Sequence, residues 1–375
     1  MEKIRFGIIG AGSQGNAYAR HFKNGRIDNG VLCAVCDIKP EKLDAIKEQL
    51  QDMPVKYYDN YLDMIEDKAC DVVLIETPHY SHVEIVRECL SRGVHVLCEK
   101  PLGVYTKEVK ELCKYAKTAE AKFGMMFNQR TNCIYRKMRE MILGGELGKI
   151  QRVNWIITDW FRTDAYYRSG DWRASWAGEG GGVLINQAPH QIDMLSWIVG
   201  SKPVSVRGFC HYGRHHDIEV EDDATAYFTY ENGATGVFIT TTGEAPGTNR
   251  LEVAGTLGKL VCEDEKLVWY KNAIDSVEYC RTSESGYKKP DVEITEVETD
   301  GQNPQHVGIM NNFANSLLGL EELFVDGCEG LTSVEFMNAV ELSGWLGGAE
   351  VTIPVDEDLY LSELNKRIAT SRYKK

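Results

Sequence analysis

Ile4-Arg5-Phe6-Gly7-Ile8-Ile9 runs directly into Gly10-Ala11-Gly12-Ser13-Gln14-Gly15, and this stretch carries the fold of the N-terminal half. The first six residues are mostly apolar and form a short strand. The G-x-G-x-x-G turn opens a helical stretch over residues 16–23. A second apolar run, residues 31–36, ends in Asp37, 22 residues after Gly15. Together these are the fingerprint of a dinucleotide-binding βαβ unit. Gly10 permits the tight turn. Gly12 lets the backbone approach a pyrophosphate at the helix N-terminus, and Gly15 lets helix and strand pack closely. Ser13 and Gln14 lie within the same cofactor-binding turn. Asp37 can accept both ribose hydroxyl protons and repels a 2′-phosphate, so NAD is expected rather than NADP. Lys39 stands close enough to soften that preference and joins the cofactor candidates. The competing reading is a glycine turn with no ligand.

Outward from this unit, helices at residues 40–50, 62–66, 83–92 and 107–117 alternate with strands at 55–57, 71–75, 94–98 and 123–127. Such alternation means βαβ units and a parallel sheet. The texture changes after Arg130. A helix at 135–143 leads into 151–158, where polar and apolar residues alternate. An aromatic-rich loop follows, then Glu179-Gly180-Gly181-Gly182 and an apolar helix to Val199. From Val204 to about Tyr270, β-rich runs are separated by turns such as Glu231-Asn232-Gly233, as in antiparallel strands of one larger sheet. Residues 281–303 read as a polar surface loop or irregular strand, and helices are expected at 305–318 and 332–344. The expected fold is α/β: an NAD-binding Rossmann domain over 1–127, then an α+β domain with a large, open, mostly antiparallel sheet over 128–375.

The 375 residues are 43% hydrophobic and 26% charged, enough for two cores. A net charge of −14 argues against nucleic acid and against an anionic membrane surface, and suits a small-molecule ligand. No run approaches the roughly 18 apolar residues of a membrane span. The start shows no leader pattern, and eleven scattered cysteines read as reduced thiols, so a cytoplasmic protein is expected. Cys33 and Cys36 face opposite ways on one strand. His211, His215 and His216 read as a polar loop, and no metal site is expected.

Glu99-Lys100-Pro101 follows the fifth strand. With the glycine turn before it and a G-G-G leading into an x-x-x-x-H helix after it, the chain resembles the Gfo/Idh/MocA oxidoreductases over essentially its whole length. The resemblance implies a Rossmann domain and a second domain whose open sheet packs on another subunit, giving a homo-oligomer, dimer or tetramer. Lys100 stands at the carboxyl end of a parallel strand, where ligands bind. A cationic nicotinamide and partial desolvation favour its neutral form, which can shuttle a proton. In the family the Lys–Pro bond is often cis. Glu99 joins the cofactor residues. Thr77-Pro78-His79-Tyr80-Ser81-His82 resembles the family's T-P-N-x-x-H beside the cofactor. His79 stands where Asn is usual, and His82 helps form the helix start and the cofactor wall.

In Asn186-Gln187-Ala188-Pro189-His190 the family pattern is D-x-x-x-H. His190 matches and is the natural proton acceptor. Asn186 holds the aspartate position; an amide cannot take a proton, so it orients substrate or, with Pro189 following, caps the helix. Asp193 either orients the His190 ring or is a helix-surface charge. Residues 155–176 hold Trp155, Trp160, Phe161, Tyr166, Tyr167, Trp172 and Trp176, interleaved with Arg162, Arg168 and Arg173. Aromatic faces with polar tips suit a sugar ring, although half of these rings should be core. The expected substrate residues are Asn128, Trp160, Arg162, Tyr166, Tyr167, Trp176 and Gln187. Asn128 also joins the cofactor set, Arg173 reaches the cofactor, and Arg130 lies beside Asn128 where the family meets substrate. This segment resembles the branch acting on glucosides and hexoses. The implied reaction is NAD-dependent oxidation of a secondary ring hydroxyl, at C3, to the ketone, with His190, aided by Lys100, taking the proton. Two alternatives remain: an NAD-dependent enzyme that cleaves glycosides by oxidation and elimination, and a non-catalytic NAD-binding partner.

Overall fold

A computed structural model describes residues 3–373. The chain packs as two units: residues 1–128 with 304–334, and residues 129–303 with 335–375. In the first unit, β1 (Ile4–Ile9), α1 (Ser13–Lys23), β2 (Gly30–Cys36), α2 (Pro40–Gln49), β3 (Lys56–Tyr58), α3 (Tyr61–Glu66), β4 (Val72–Ile75), α4 (His82–Ser91), β5 (His95–Cys98), α5 (Thr106–Ala116) and β6 (Phe123–Met125) alternate strictly. β4 reads Val-Val-Leu-Ile and is buried at every residue, as a central strand covered on both faces must be. The six strands pair in parallel, in the order β3-β2-β1-β4-β5-β6. The order reverses between β1 and β4, which makes the carboxyl edge there a topological switch point.

The second unit begins with α6 (Cys133–Leu143), β7 (Ile150–Ile157), α7 (Asp164–Tyr167), α8 (Val183–Asn186) and α9 (Pro189–Trp197). Strands β8 (Pro203–Tyr212), β9 (Glu221–Tyr230), β10 (Thr235–Thr241), β11 (Asn249–Gly255), β12 (Gly258–Glu263) and β13 (Lys266–Asn272), then α10 (Ser276–Thr282) and β14 (Val292–Glu296), complete its middle. The chain then returns to the first unit as α11 (Gln305–Leu317) and crosses back along α12 (Gly330–Trp345) into β15 (Val351–Thr352) and α13 (Glu357–Ala369).

The return segment closes the β6 edge. Lys122 Nζ donates to the Ser316 carbonyl at 2.5 Å, Gly124 bridges to Asp326, and Phe313 fills the space a side chain at Gly124 would need. In the second unit nine strands lie in the order β14-β13-β12-β11-β7-β10-β9-β8-β15. All pairs are antiparallel except β7 with β10, which run parallel. Burial alternates along β9, with Ala224, Ala226, Phe228 and Tyr230 inward. α12 covers that face: Phe336 meets Phe228 edge-on at 5.3 Å, and the Ser343 hydroxyl accepts from the Gly208 N–H at 2.8 Å.

Two elements differ from the sequence reading. The apolar helix expected to reach Val199 is two helices, α8 and α9, because Pro189 has no N–H to carry the helix on from the turn before it. The polar stretch 281–303 contains a regular edge strand, β14, all of it exposed.

Trp155 on β7 is fully buried and rests on Tyr135. Trp155→Ala is expected to cost about 3–5 kcal/mol, read as a lowered midpoint in urea unfolding with no change in slope.

Candidate active site

At the carboxyl edge of the parallel sheet, Gly10 has φ +104°, and a Cβ there would lie 2.6 Å from the Glu76 carbonyl oxygen. Glycine meets both demands. A Cβ on Gly15 would lie 2.0 Å from the Gly10 oxygen, so α1 approaches β1 more closely than a side chain allows. Gly12 caps α1 without any side-chain bond, and no acid stands in the first turn. The open amides and the helix dipole make an anion seat. Asn16 pins the turn by donating to the Ala11 and Gly12 carbonyls at 2.8 and 2.9 Å. Asp37, buried at the end of β2, accepts from the Ala11 and Lys39 N–H groups at 2.7 and 2.9 Å, with Lys42 Nζ 3.8 Å away. These residues fit a dinucleotide: pyrophosphate on α1, ribose hydroxyls on Asp37.

Beyond the switch point, the Lys100–Pro101 bond is cis. Glu99 accepts from the Lys100 N–H at 3.0 Å and from the Tyr18 hydroxyl, and His306 Nε2 stands 4.0 Å away. His82 ties this strand end to the preceding turn: its ring nitrogens face the Pro101 and Thr77 carbonyls, each at 2.7 Å. A neutral ring donates to one of them, and burial holds the His82 pKa below its ordinary value. Ser81 donates to the Thr77 hydroxyl oxygen at 2.7 Å. His79 is buried, its ring 6.0 Å from that of His82. Asn128 donates to the Gln305 side-chain oxygen.

In the second unit, G-G-G is a steric requirement. A Cβ on Gly182 would lie 1.9 Å from the Glu221 carbonyl oxygen, and one on Gly181 would lie 2.7 Å from Glu341 Oε1. The buried Glu221 carboxylate accepts from the Gly182 N–H at 2.9 Å and the Leu184 N–H at 3.0 Å, which sets the start of α8. Burial pushes the Glu221 pKa up to about 7, against the pull of those amides. Asn186, the last residue of α8, donates to the buried Glu179 carboxylate. Its Oδ1 is thereby left as an acceptor, for the Tyr166 hydroxyl at 3.2 Å and Gln187 Nε2 at 3.3 Å. The Tyr166 oxygen in turn accepts from Arg173 at 3.0 Å and Gln187 at 2.9 Å. Arg162 lies over the Tyr166 and Trp160 rings at 5.2 and 5.6 Å. The buried Trp160 indole N–H has no partner in the protein. Tyr167 shares a hydrogen bond with Thr242 at 2.7 Å. His190 is the second residue of α9.

The structure thus gathers Gly10, Gly12, Gly15, Asp37 and Lys39 in one place, and Thr77, His82, Glu99 and Lys100 along the β4–β5 edge. Tyr166, Arg173, Asn186 and Gln187 form one hydrogen-bonded cluster flanked by Arg162. Asn186 is not a helix cap: Ala188 holds that position before Pro189, without a side-chain bond. Asp193 is not a surface charge; it forms a two-point ion pair with Arg130 at 2.6 and 2.8 Å, both buried. Trp176 is buried against Tyr212 and Trp345, which makes it core packing rather than a substrate surface. His216 is held by Asp222 and the Arg162 carbonyl. Among the described residues no group of His, Cys, Asp and Glu is arranged to hold a metal, and no helix is long and apolar enough to cross a membrane. The sequence reading missed Glu76, Glu179, Gln305 and His306. Glu179 directly precedes the Gly180-Gly181-Gly182 run; nothing in the sequence pairs residues 305 and 306 with the cofactor edge.

A dinucleotide seat of this kind, with a lysine at the next strand end, defines an NAD-dependent oxidoreductase. Residues 4–127 match the family described as "Oxidoreductase family, NAD-binding Rossmann fold", and residues 135–261 match the GFO/IDH/MocA C-terminal domain. The chain belongs to the Gfo/Idh/MocA family. It is 28% identical over 268 residues to myo-inositol 2-dehydrogenase of Thermotoga maritima, covering 70% of this chain and 75% of that one. It is 28% identical over 259 residues to the Bos taurus trans-1,2-dihydrobenzene-1,2-diol dehydrogenase, covering 68% and 72%. Among solved structures, the WlbA dehydrogenase of Bordetella pertussis in complex with NADH and UDP-GlcNAcA superposes with a TM-score of 0.79 at 25% identity, covering 95% of this chain and 99% of that one.

Asp37→Ala is expected to weaken NAD binding about 10- to 100-fold, the loss of one or two charge-assisted hydrogen bonds, and to narrow the preference over NADP in fluorescence titrations. Asp193→Asn removes the carboxylate charge from the buried two-point pair with Arg130. It is expected to cost about 3–5 kcal/mol in unfolding experiments.

Proposed function

We propose that this enzyme oxidises a secondary ring hydroxyl of a hexose, glycoside or related cyclic polyol to the ketone, with C3 as the position attacked. The observation that carries the reading is the Tyr166 cluster. Tyr166, Arg173, Asn186 and Gln187 are locked into one polar cluster, Arg173 keeps further N–H donors beyond the one given to Tyr166, and Trp160 offers a buried N–H without a protein partner. Such polar groups beside aromatic faces suit a polyhydroxylated ring. The relatives named for myo-inositol and for a cyclic diol support the same class of substrate. NAD, when bound, supplies the hydride acceptor.

The roles of this chain's residues follow. Asp37 and the α1 amides hold the cofactor. His190, aided by Lys100, removes the hydroxyl proton. Asn186 cannot take a proton; its amide is donated to Glu179 and its oxygen accepts from Tyr166 and Gln187, so it orients substrate by fixing that cluster. The exposed apolar side chains Phe209 and Tyr227, on the same face of β8 and β9, support assembly into a homo-oligomer through that face of the nine-stranded sheet.

The test is reduced-nicotinamide absorbance with a panel of hexoses, glycosides and inositols. One sugar class should raise it, and Lys100→Ala and His190→Ala should each lower kcat about 10²- to 10⁴-fold. His190→Ala should leave the Kd for NAD unchanged. Cleavage of a glycoside without net NADH would replace this reading by oxidation and elimination. Full activity in both variants would remove Lys100 and His190 from the mechanism, and no rise with any sugar would return the chain to the non-catalytic class.

A further inference from the structure

Glu76 follows β4 directly, at the switch point of the parallel sheet. Its N–H donates to the Ile9 carbonyl at 2.8 Å, and its own carbonyl packs against Gly10. Ile75 pairs with Cys98 in the β4–β5 register, so Glu76 and Glu99 are neighbours across two parallel strand ends. Both carboxyl oxygens of Glu76 are buried and neither has a hydrogen-bond partner in the protein. A buried carboxyl left in this way is costly unless it is neutral or a ligand completes it. The groups around it are Glu99 and Lys100 at the end of β5, Cys98 on β5 and the Tyr18 hydroxyl on α1. His306 Nε2 lies 4.0 Å from Glu99, and the His82 ring feels the same carboxylate. Burial first, then the charge of Glu99, hold Glu76 well above the ordinary carboxylate range, with Lys100 opposing.

The position says which end of the cofactor this carboxyl meets. Asp37 takes the adenosine ribose at the end of β2, and α1 takes the pyrophosphate. A dinucleotide laid across the switch point therefore brings its nicotinamide end to β4 and β5. The oxidised ring is cationic and the reduced ring is neutral, and a cation at a buried carboxyl favours the ionised form.

We propose that Glu76 carries a proton in the cofactor-free enzyme and releases it to solvent when NAD binds, but keeps it when NADH binds. The two redox forms of the cofactor then compete with a balance set by pH: rising pH favours capture of the oxidised form and leaves the reduced form unaffected.

Calorimetric titration of the cofactor-free enzyme with NAD, and separately with NADH, in two buffers of different ionisation enthalpy reads proton release directly. The expected result is release approaching one proton with NAD and none with NADH. The Kd for NAD should fall by up to about tenfold per pH unit, while that for NADH stays flat. Glu76→Gln should bind NADH as the wild type does, yet lose both the release and the slope. A second readout needs no cofactor. The folded chain holds a proton at Glu76 that the unfolded chain would give up, so cofactor-free stability falls as pH rises above the ordinary carboxylate range, and Glu76→Gln should flatten that fall in Tm. NAD binding without proton release overturns the proposal on the wild type alone, whether or not the variant folds. Release that persists in Glu76→Gln overturns it too. Failure of NAD to bind at all would instead fell the cofactor assignment.

Discussion

Three backbone segments crowd at the carboxyl edge of the parallel sheet so tightly that no Cβ fits at Gly10 or Gly15. Most of the cofactor side depends on that contact. It brings the first turn of α1 down onto β1, which leaves the α1 amides open to an anion. It brings the Ala11 N–H within reach of Asp37, so the carboxylate at the end of β2 is oriented by the same turn that leaves the α1 amides open. It also presses the Glu76 backbone against Gly10, which places an acid beside the strand that ends in Glu99 and Lys100. A larger residue at either glycine would disturb several groups at once, because they share one steric origin.

The second unit reaches a similar end by buried charge. Glu221 gathers the amides at the start of α8, and Glu179 takes the Asn186 amide. Asn186 is a neutral amide with a buried carboxylate behind it, so the negative charge of this neighbourhood lies one hydrogen bond outward. Tyr166 is fixed by the same chain of bonds, since its hydroxyl proton points to Asn186 while Arg173 and Gln187 occupy its lone pairs.

The cofactor half was legible because its requirements are local. A turn needing positive φ, a helix start and an acid at the next strand end all fall within residues 10–37. The parallel sheet was legible in the uninterrupted apolar strands. The break between α8 and α9 was not, because Val183–Ile185 and Ile192–Leu195 keep a helical spacing across it and Pro189 suits a first turn as well as a break. The direction of the Asn186 amide depends on Glu179, whose burial no spacing reveals. Gln305 and His306 were invisible for another reason: Gln305 meets Asn128 across 177 residues of chain. Glu76 reads from sequence as an ordinary acid after a strand, and its isolation from hydrogen-bond partners is a property of the packed edge.

The return of residues 304–334 to the first unit has a consequence for synthesis. The N-terminal sheet emerges from the ribosome early, but β6 stays uncovered and Asn128 without Gln305 until the chain has been made past α11. Domains generally fold as units during synthesis. Here the whole β-rich stretch 129–303 is translated while the first unit is still missing a piece, so the nucleotide-binding half is completed only after most of the other half already exists.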